Sequence, residues 1–255
     1  MKCLVVAFCY NERKYIEDFV NYYRNQGCDL FILDNHSTDG TYEWLESNGI
    51  PTKILPTGGQ FHLKKLQRGL LYNIKEINPD WVVYSGIDVF FSFDKTVRET
   101  IEEADQSGHN LIGVKYFNMY NTGEKRTGRM FDDFYYGRDL KRLYMIGKYT
   151  QPFDFEADSI QIDNKKIFQA DGVVINYGNT KPAKEREDTY RRRKKAWDHG
   201  LDHNYGVHYL EGRMNHWRWD RNELVDIRMT DFGRYIKKLS NDISCNTNRG
   251  KAGSV

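Results

Sequence analysis

The chain has 255 residues, with 38 Lys and Arg against 36 Asp and Glu, which gives a net charge of +2. So small an excess of positive charge argues against a surface built throughout for nucleic acid. Apolar residues make up 39% of the sequence and aromatic residues 15%, which is enough for a sizeable core and excludes a largely disordered chain. The longest apolar stretch, residues 3–10, is far shorter than the roughly 20 residues that a membrane-spanning helix needs.

The first ninety residues alternate between strand and helix patterns. Short apolar runs predict strands at residues 3–9, 30–33, 52–55 and 81–84. Between them, apolar residues at helical spacing predict helices that begin near residues 16, 42 and 63. This alternating order predicts an α/β fold with a mainly parallel central sheet and helices on both faces.

Polar residues follow three of these predicted strands. Tyr10, Asn11 and Glu12 come after the first strand, Asp34 ends the second, and Asp88 follows the fourth. The carboxyl ends of parallel strands share one edge of a sheet, and ligands bind beyond that edge. The sequence therefore predicts a binding site where these three groups converge.

The pattern changes after residue 110. Strand signals appear at residues 111–114, 159–162, 166–168 and 173–175. A long polar and aromatic segment, residues 118–139, is typical of an active-site loop. Residues 182–199 predict a basic helix, residues 204–219 mix aromatic residues with histidines, and a polar tail begins near residue 241.

Three segments resemble family 2 glycosyltransferases, which have the A-type nucleotide-sugar-binding fold. Residues 5–12, VVAFCYNE, resemble that family's first strand, which ends in an acidic residue near the nucleobase. Residues 33–41, LDNHSTDGT, are similar to its Asp-x-x-Ser-x-Asp-x-Thr pattern, and residues 81–91 lie where its fourth strand leads into Asp-x-Asp. The resemblance covers residues 3–95, and the order and spacing of the three segments make it specific.

The resemblance implies an enzyme that moves a sugar from a nucleotide-diphosphate donor, a UDP- or GDP-sugar, to a hydroxyl group with inversion. It implies Mn²⁺ or Mg²⁺ at the diphosphate. A growing surface polysaccharide or a lipid-linked glycan is the expected acceptor. We expect one domain over residues 1–240, with a nucleotide-binding half at 1–95 and an acceptor-binding half at 96–240. Residues 241–255 are expected to form a flexible tail.

The resemblance also assigns residues to the donor site. Glu12 and Asp34 are expected near the base and ribose, together with Tyr10. Asn11 and Ser37 belong to the same edge, where turn-forming and ligand-contacting roles are equally open.

The expected metal site departs from the family pattern. Asp88 is the predicted metal ligand, but Gly86 stands where the family has the first Asp of Asp-x-Asp. Asn176 stands where the family often has a His, so His208 becomes the candidate for a second ligand. These departures leave a second hypothesis open, a nucleotide- or glycan-binding protein of the same fold that has lost catalysis.

The general base is predicted at Asp133 or its neighbour Asp132, in the long polar loop. A competing carboxylate cluster lies at residues 154–158, and both groups are also consistent with solvated loop charges.

Residues 191–195 are five consecutive basic residues, for which three roles are open: a solvated helix face, contact with the diphosphate, or attraction of residues 181–195 to an anionic membrane. Lys181 is a further candidate to face the donor. Nucleic acid is not an expected partner. The cysteines and the start of the chain, which shows no signal peptide, predict a cytoplasmic protein with reduced thiols, for which a membrane-peripheral position is left open.

Overall fold

The structure is a computed structural model that describes residues 1–119, 136–156, 159–198, 225–226 and 230–249. The strands are β1 (Cys3–Cys9), β2 (Asp29–Asp34), β3 (Thr52–Ile54), β4 (Trp81–Tyr84), β5 (Val89–Phe93), β6 (Leu111–Met119), β7 (Tyr136–Lys148), β8 (Phe153–Glu156), β9 (Ser159–Ile162), β10 (Ile167–Asn176) and β11 (Val225–Asp226). The helices are α1 (Ile16–Asn25), α2 (Thr41–Ser47), α3 (Leu63–Ile77), α4 (Val97–Gln106), α5 (Ala183–Asp198) and α6 (Gly233–Arg249).

The described strands form one nine-stranded sheet and a separate hairpin of β8 and β9. The order in the large sheet is β3-β2-β1-β4-β7-β6-β10-β5, and β11 pairs with β7. β1 lies between β2 and β4 and is parallel to both. β7 runs antiparallel between β4 and β6, whereas β6 and β10 are parallel. The predicted α/β fold with a mainly parallel sheet is confirmed.

The two faces of β1 show why its sequence is a continuous apolar run. Cys3, Val5 and Ala7 pack in one buried cluster with residues of α1, α4 and α6. Leu4 and Val6 point the other way and pack with α3 and with the β8–β9 hairpin. Alternate side chains of a strand face opposite sides, so a strand covered on both sides needs apolar residues throughout. The expected helices on both faces are therefore present.

Several expectations for the second half of the chain are wrong. The segment 118–139 is not a loop throughout, because β6 extends to Met119 and β7 begins at Tyr136. The two short strands expected near residues 166 and 173 form the single strand β10, with an irregular register between Gln169 and Val173. A bulge of this kind interrupts the alternation on which the sequence interpretation depended.

The tail expected from residue 241 instead continues helix α6 as far as Arg249. Ile243 lies in the main buried cluster, beside Leu239 one turn earlier. The Gln26 Nε2 donates to Asp242 Oδ2 at 3.5 Å, which ties this helix to the end of α1. Packing of one apolar face therefore holds a segment whose overall composition is polar.

Helix α4 begins at a capping box that the sequence analysis missed. The backbone N–H of Glu99 donates to Thr96 Oγ1 at 3.2 Å, and the Thr96 N–H donates to Glu99 Oε2 at 2.8 Å. Val97, Ile101 and Ala104 then face the core on one side of the helix. The pattern Thr-x-x-Glu before apolar residues at helical spacing was the available signal.

We expect Thr96→Ala to lower the free energy of unfolding by about 1 kcal/mol, because the first turn of α4 loses its hydroxyl acceptor. Thr96→Ser keeps that oxygen and serves as the matched control, with a smaller loss. Urea denaturation followed by circular dichroism measures both. Equal losses in the two variants would contradict the capping role.

Candidate active site

The loops that follow β1 and β2 lie side by side and are joined by hydrogen bonds. The Asn11 N–H donates to Ser37 Oγ at 2.9 Å, and Asn11 Oδ1 accepts from the Thr38 N–H at 2.8 Å. The Glu12 N–H donates to Thr41 Oγ1 at 2.9 Å. Asn11 has a φ of +55°, a left-handed conformation in which Asn is enriched. Asn11 and Ser37 therefore form the turn, and their contact with a nucleotide stays a prediction.

Asp34, at the end of β2, is completely buried. Its Oδ1 accepts from the Ser37 N–H at 2.7 Å, and its Oδ2 accepts from the Cys9 S–H at 3.3 Å. Burial raises the pKa of the Cys9 thiol and the Asp34 carboxylate raises it further, so Cys9 remains a protonated donor. Both carboxylate oxygens of Asp34 thus hold the loop, while its predicted contact with a nucleotide stays a prediction.

Three charged side chains from separate parts of the chain meet beyond this edge. Lys181 Nζ lies 2.9 Å from both carboxylate oxygens of Glu12 and 3.1 Å from Asp88 Oδ2. The side chains of Lys181, Glu12 and Asp88 are only 11%, 19% and 22% exposed. The structure therefore brings together the two carboxylates expected at the strand ends, and it joins them through a Lys ammonium.

Burial and charge act in opposite directions on this cluster. Burial raises the pKa of Glu12, the Lys181 ammonium lowers it, and the Asp88 carboxylate raises it again, with a net upward shift. Burial by itself would lower the pKa of Lys181, but the carboxylates of Asp88 and Glu12 outweigh that effect and raise it. Lys181 is therefore a permanent cation at neutral pH, fixed between two acidic groups.

Two glycines leave the space that the Asp88 carboxylate occupies. A Cβ added at Gly178 would lie 2.8 Å from Asp88 Oδ2, and a Cβ at Gly86 would lie 3.1 Å from Asp88 Oδ1. The Tyr177 N–H also donates to the Asp88 carbonyl oxygen at 2.8 Å. Gly86 stands where the family has the first Asp of Asp-x-Asp, and in this chain the glycine leaves room for the Asp88 side chain.

Asn176, at the end of β10, uses both ends of its side-chain amide within the protein. Its Nδ2 donates to the Tyr116 hydroxyl at 2.6 Å, and its Oδ1 accepts from the Gly178 N–H at 2.7 Å. Asn176 therefore holds the turn after β10, with its side-chain amide hydrogen-bonded within the protein at both ends.

The segment between β10 and α5 places the Lys181 ammonium beside the two carboxylates. Residues Gly178–Thr180 form a 3₁₀ turn, closed by the Thr180 Oγ1, which donates to the Tyr177 carbonyl oxygen at 2.8 Å. Lys181 is extended, as expected for a residue that precedes a proline. Its ammonium also lies 4.9 Å from the centre of the Tyr15 ring, a cation–π contact. Lys181 was expected from the sequence to face the donor, whereas its ion-pair partners were not predicted.

Part of the basic run on α5 faces the protein. The Arg192 guanidinium carbon lies 4.0 Å from the centre of the Tyr10 ring, and that of Arg193 lies 5.1 Å from the Phe61 ring. A Cβ at Gly59 would overlap the Tyr10 ring, so Gly59 allows this packing. The run is therefore not a uniformly solvated face, and Arg192 extends the positive charge of Lys181 along the rim of the site.

The general-base candidates Asp132 and Asp133 and the metal-ligand candidate His208 lie outside the described residues. The competing carboxylates Asp154 and Glu156 are on β8 with exposed side chains. Within the described part of the chain, no three His, Cys, Asp or Glu side chains are grouped as metal ligands. In the described part of the chain, Asp88 Oδ2 faces an ammonium and Gly86 adds no second carboxylate, so these residues do not assemble a metal site by themselves.

Comparison with known proteins decides the family. The model for glycosyl transferase family 2 matches residues 4–174, which include most of β1, all of β2 to β9, most of β10 and two of the three clustered charges. The chain belongs to glycosyl transferase family 2. A comparison with curated protein sequences gave no match.

Solved glycosyltransferase structures are similar to this family 2 chain over part of their length. TarS of S. aureus, residues 1–349, has 15% identity and a TM-score of 0.47, and the match covers 75% of this chain and 63% of TarS. Its complex with UDP-GlcNAc has 21% identity and a TM-score of 0.38, covering 52% and 39%. Glucosyl-3-phosphoglycerate synthase of Mycobacterium tuberculosis, in complex with Mn²⁺, UDP and glucosyl-3-phosphoglycerate, has 19% identity and a TM-score of 0.35, covering 51% and 46%.

The helices that the structure describes in this family 2 chain include none that is long and apolar enough to span a bilayer.

We expect Asp34→Asn to lower the free energy of unfolding by about 1–3 kcal/mol, because an amide has only one acceptor oxygen for two protein donors. Asp29→Asn, at the exposed start of the same strand, is the matched control and should change stability little. Urea denaturation measures both variants. Unchanged stability in Asp34→Asn would contradict the loop-holding role.

Proposed function

We propose that this chain is a glycosyltransferase that moves a sugar from a nucleotide-diphosphate donor to a hydroxyl acceptor, with inversion at the anomeric carbon. The observation that carries the proposal is the cluster of Glu12, Lys181 and Asp88 beyond the carboxyl ends of β1 and β4. Parallel sheets bind ligands at this edge. Membership of glycosyl transferase family 2 supports the same reaction class.

The donor nucleotide, a UDP- or GDP-sugar, would lie against the joined loops after β1 and β2. Glu12 is the proposed acceptor of a hydrogen bond from the base edge, and Tyr10 offers a ring at the rim of the same loop. Asp34, Asn11 and Ser37 serve this site by holding the loop backbone rigid. A preformed loop of this kind reduces the ordering that binding must otherwise impose.

Inversion requires a carboxylate that accepts the proton of the attacking hydroxyl group. Asp133, with Asp132 as the alternative, remains the proposed base. The exposed position of Asp154 and Glu156 on β8 gives no support to that competing cluster. In the transfer, the acceptor oxygen bonds to the anomeric carbon, the bond to the diphosphate breaks with its electron pair on the phosphate oxygen, and the base takes the proton.

A surface polysaccharide or lipid-linked glycan is the proposed acceptor, in a cytoplasmic and membrane-peripheral setting. Among the side chains of the basic run that the structure describes, Arg191 and Lys195 are exposed and would face an anionic surface, while Arg192 and Arg193 stay on the protein. Vesicle sedimentation with and without anionic lipid tests this part of the proposal separately.

The test of the proposed function combines binding and turnover. Calorimetric titration with UDP and GDP should show that the wild-type chain binds one of them, and incubation with the matching nucleotide sugars should release the nucleoside diphosphate. Asp88→Asn is expected to weaken binding roughly tenfold or more, because the variant loses a charge that organises the cluster. Asp163→Asn, an exposed change in the turn after β9, is the matched control.

Binding of a nucleotide without turnover of any donor would favour the second candidate, a nucleotide-binding protein of this fold without catalysis. The observation that supports this candidate is Gly86, which replaces the first Asp of the family motif. Absence of binding to both UDP and GDP, in folded protein, would contradict the proposed UDP- or GDP-sugar donor.

A further inference from the structure

We propose that the Lys181 ammonium takes the place of the divalent cation at the donor site, where it contacts the diphosphate and stabilises the leaving nucleotide. This inference rests on the proposed function, because it names the group that meets the donor in that site. The position of Lys181 between Glu12 and Asp88 carries it.

The carboxylate oxygens that could bind a cation at this position are arranged around an ammonium. Asp88 presents Oδ2 to Lys181 at 3.1 Å, and Gly86 provides no second carboxylate. Asn176 Nδ2 donates to the Tyr116 hydroxyl, and its Oδ1 accepts from the Gly178 N–H. Mg²⁺ at a phosphate site is held by one or two carboxylates together with substrate oxygens and waters. Among the described residues Asp88 is the carboxylate at the family's metal position, and its Oδ2 already faces the Lys181 ammonium.

The backbone on both sides of Lys181 and its carboxylate contacts fix the position of its ammonium. Its flanking residues are a closed 3₁₀ turn and Pro182, and its side chain is only 11% exposed. Glu12 contacts the ammonium through both carboxylate oxygens at 2.9 Å, so one of these contacts can be exchanged for a phosphate oxygen while the other persists. An ammonium has three N–H donors, which is enough for Glu12, Asp88 and one phosphate oxygen at the same time.

The charge balance also suits this role. Lys181 and Arg192 together carry the two positive charges that one divalent cation would bring to Glu12 and Asp88. Arg192 is close enough to Glu12 for each group to shift the pKa of the other, and its guanidinium lies over the Tyr10 ring at 4.0 Å. Both cations lie on one stretch of chain that starts at β10, so they reach the site together.

In the proposed step, the charge on the leaving oxygen and the proton of the acceptor are both accounted for without a metal ion. As the bond between the anomeric carbon and the diphosphate oxygen breaks, negative charge develops on that oxygen, and the Lys181 ammonium stabilises it by a charge-assisted hydrogen bond. The proton of the acceptor hydroxyl goes to the carboxylate base, and Lys181 keeps its own protons throughout.

The first measurement uses the wild-type chain. Calorimetric titration with UDP, GDP, ADP, CDP and dTDP is performed in EDTA and again with Mn²⁺ or Mg²⁺. We expect one nucleotide to bind with the same affinity in EDTA as with metal, and donor turnover to proceed in EDTA. Binding or turnover that requires a divalent cation would overturn this inference and leave the proposed function standing. No binding under any condition would overturn the proposed function and the inference with it.

The second measurement uses variants at the same position. Lys181→Met keeps a similar length without the charge, and we expect it to weaken nucleotide binding about ten- to a hundredfold in EDTA. Mn²⁺ should restore part of the affinity in this variant, because Asp88 is then released from the ammonium. Lys181→Arg should retain metal-independent binding, and Lys75→Met, an exposed change near the end of α3, is the matched control.

Thermal melting shows whether each variant folds, since Lys181→Met leaves Glu12 without its closest counter-charge. If it does not fold, Arg192→Met provides the variant test, with an expected loss of affinity in EDTA that Lys75→Met does not show. A folded Lys181→Met that binds as tightly as wild type in EDTA would overturn the inference.

Discussion

The burial of two carboxylates at one edge of a parallel sheet is the constraint on which the rest of the site depends. Glu12 and Asp88 are mostly covered by protein, and burial and the Asp88 carboxylate both raise the pKa of Glu12. Separate charges in such a place are costly unless they are paired and hydrogen-bonded. Lys181 supplies the pairing, and the turn after β10, the two glycines beside Asp88 and the start of α5 are all arranged so that its ammonium reaches both groups.

The remaining polar residues of this edge hold the loops in place and do not belong to the charged cluster. Asp34 holds its own loop through Ser37 and Cys9, and Asn11 ties that loop to the one after β1. Side chains that satisfy backbone donors in this way make a loop rigid before any ligand arrives. In a transferase site of the kind proposed, that rigidity lets Glu12 meet a nucleotide without reordering the chain, and it explains why so many polar residues lie together here.

The elements that sequence analysis missed share a physical reason. Helix α4 is short and has few apolar residues, so the Thr96–Glu99 capping box was the only strong mark of its start. The bulge in β10 breaks the regular alternation of a strand, and α6 owes its order to the packing of residues such as Ile243 on one side. In each case local composition is ambiguous, and contacts with distant elements decide the structure.

The sequence by itself determined the strands and helices of the first ninety residues, because a strand buried on both faces must be apolar at every position and a half-buried helix at every third or fourth. It also placed Glu12 and Asp88 at strand ends on one edge of the sheet. Only the tertiary structure decided that an ammonium joins them. Lys181 is 169 residues from Glu12, and periodicity is a local signal that carries no information on ion pairs between distant segments.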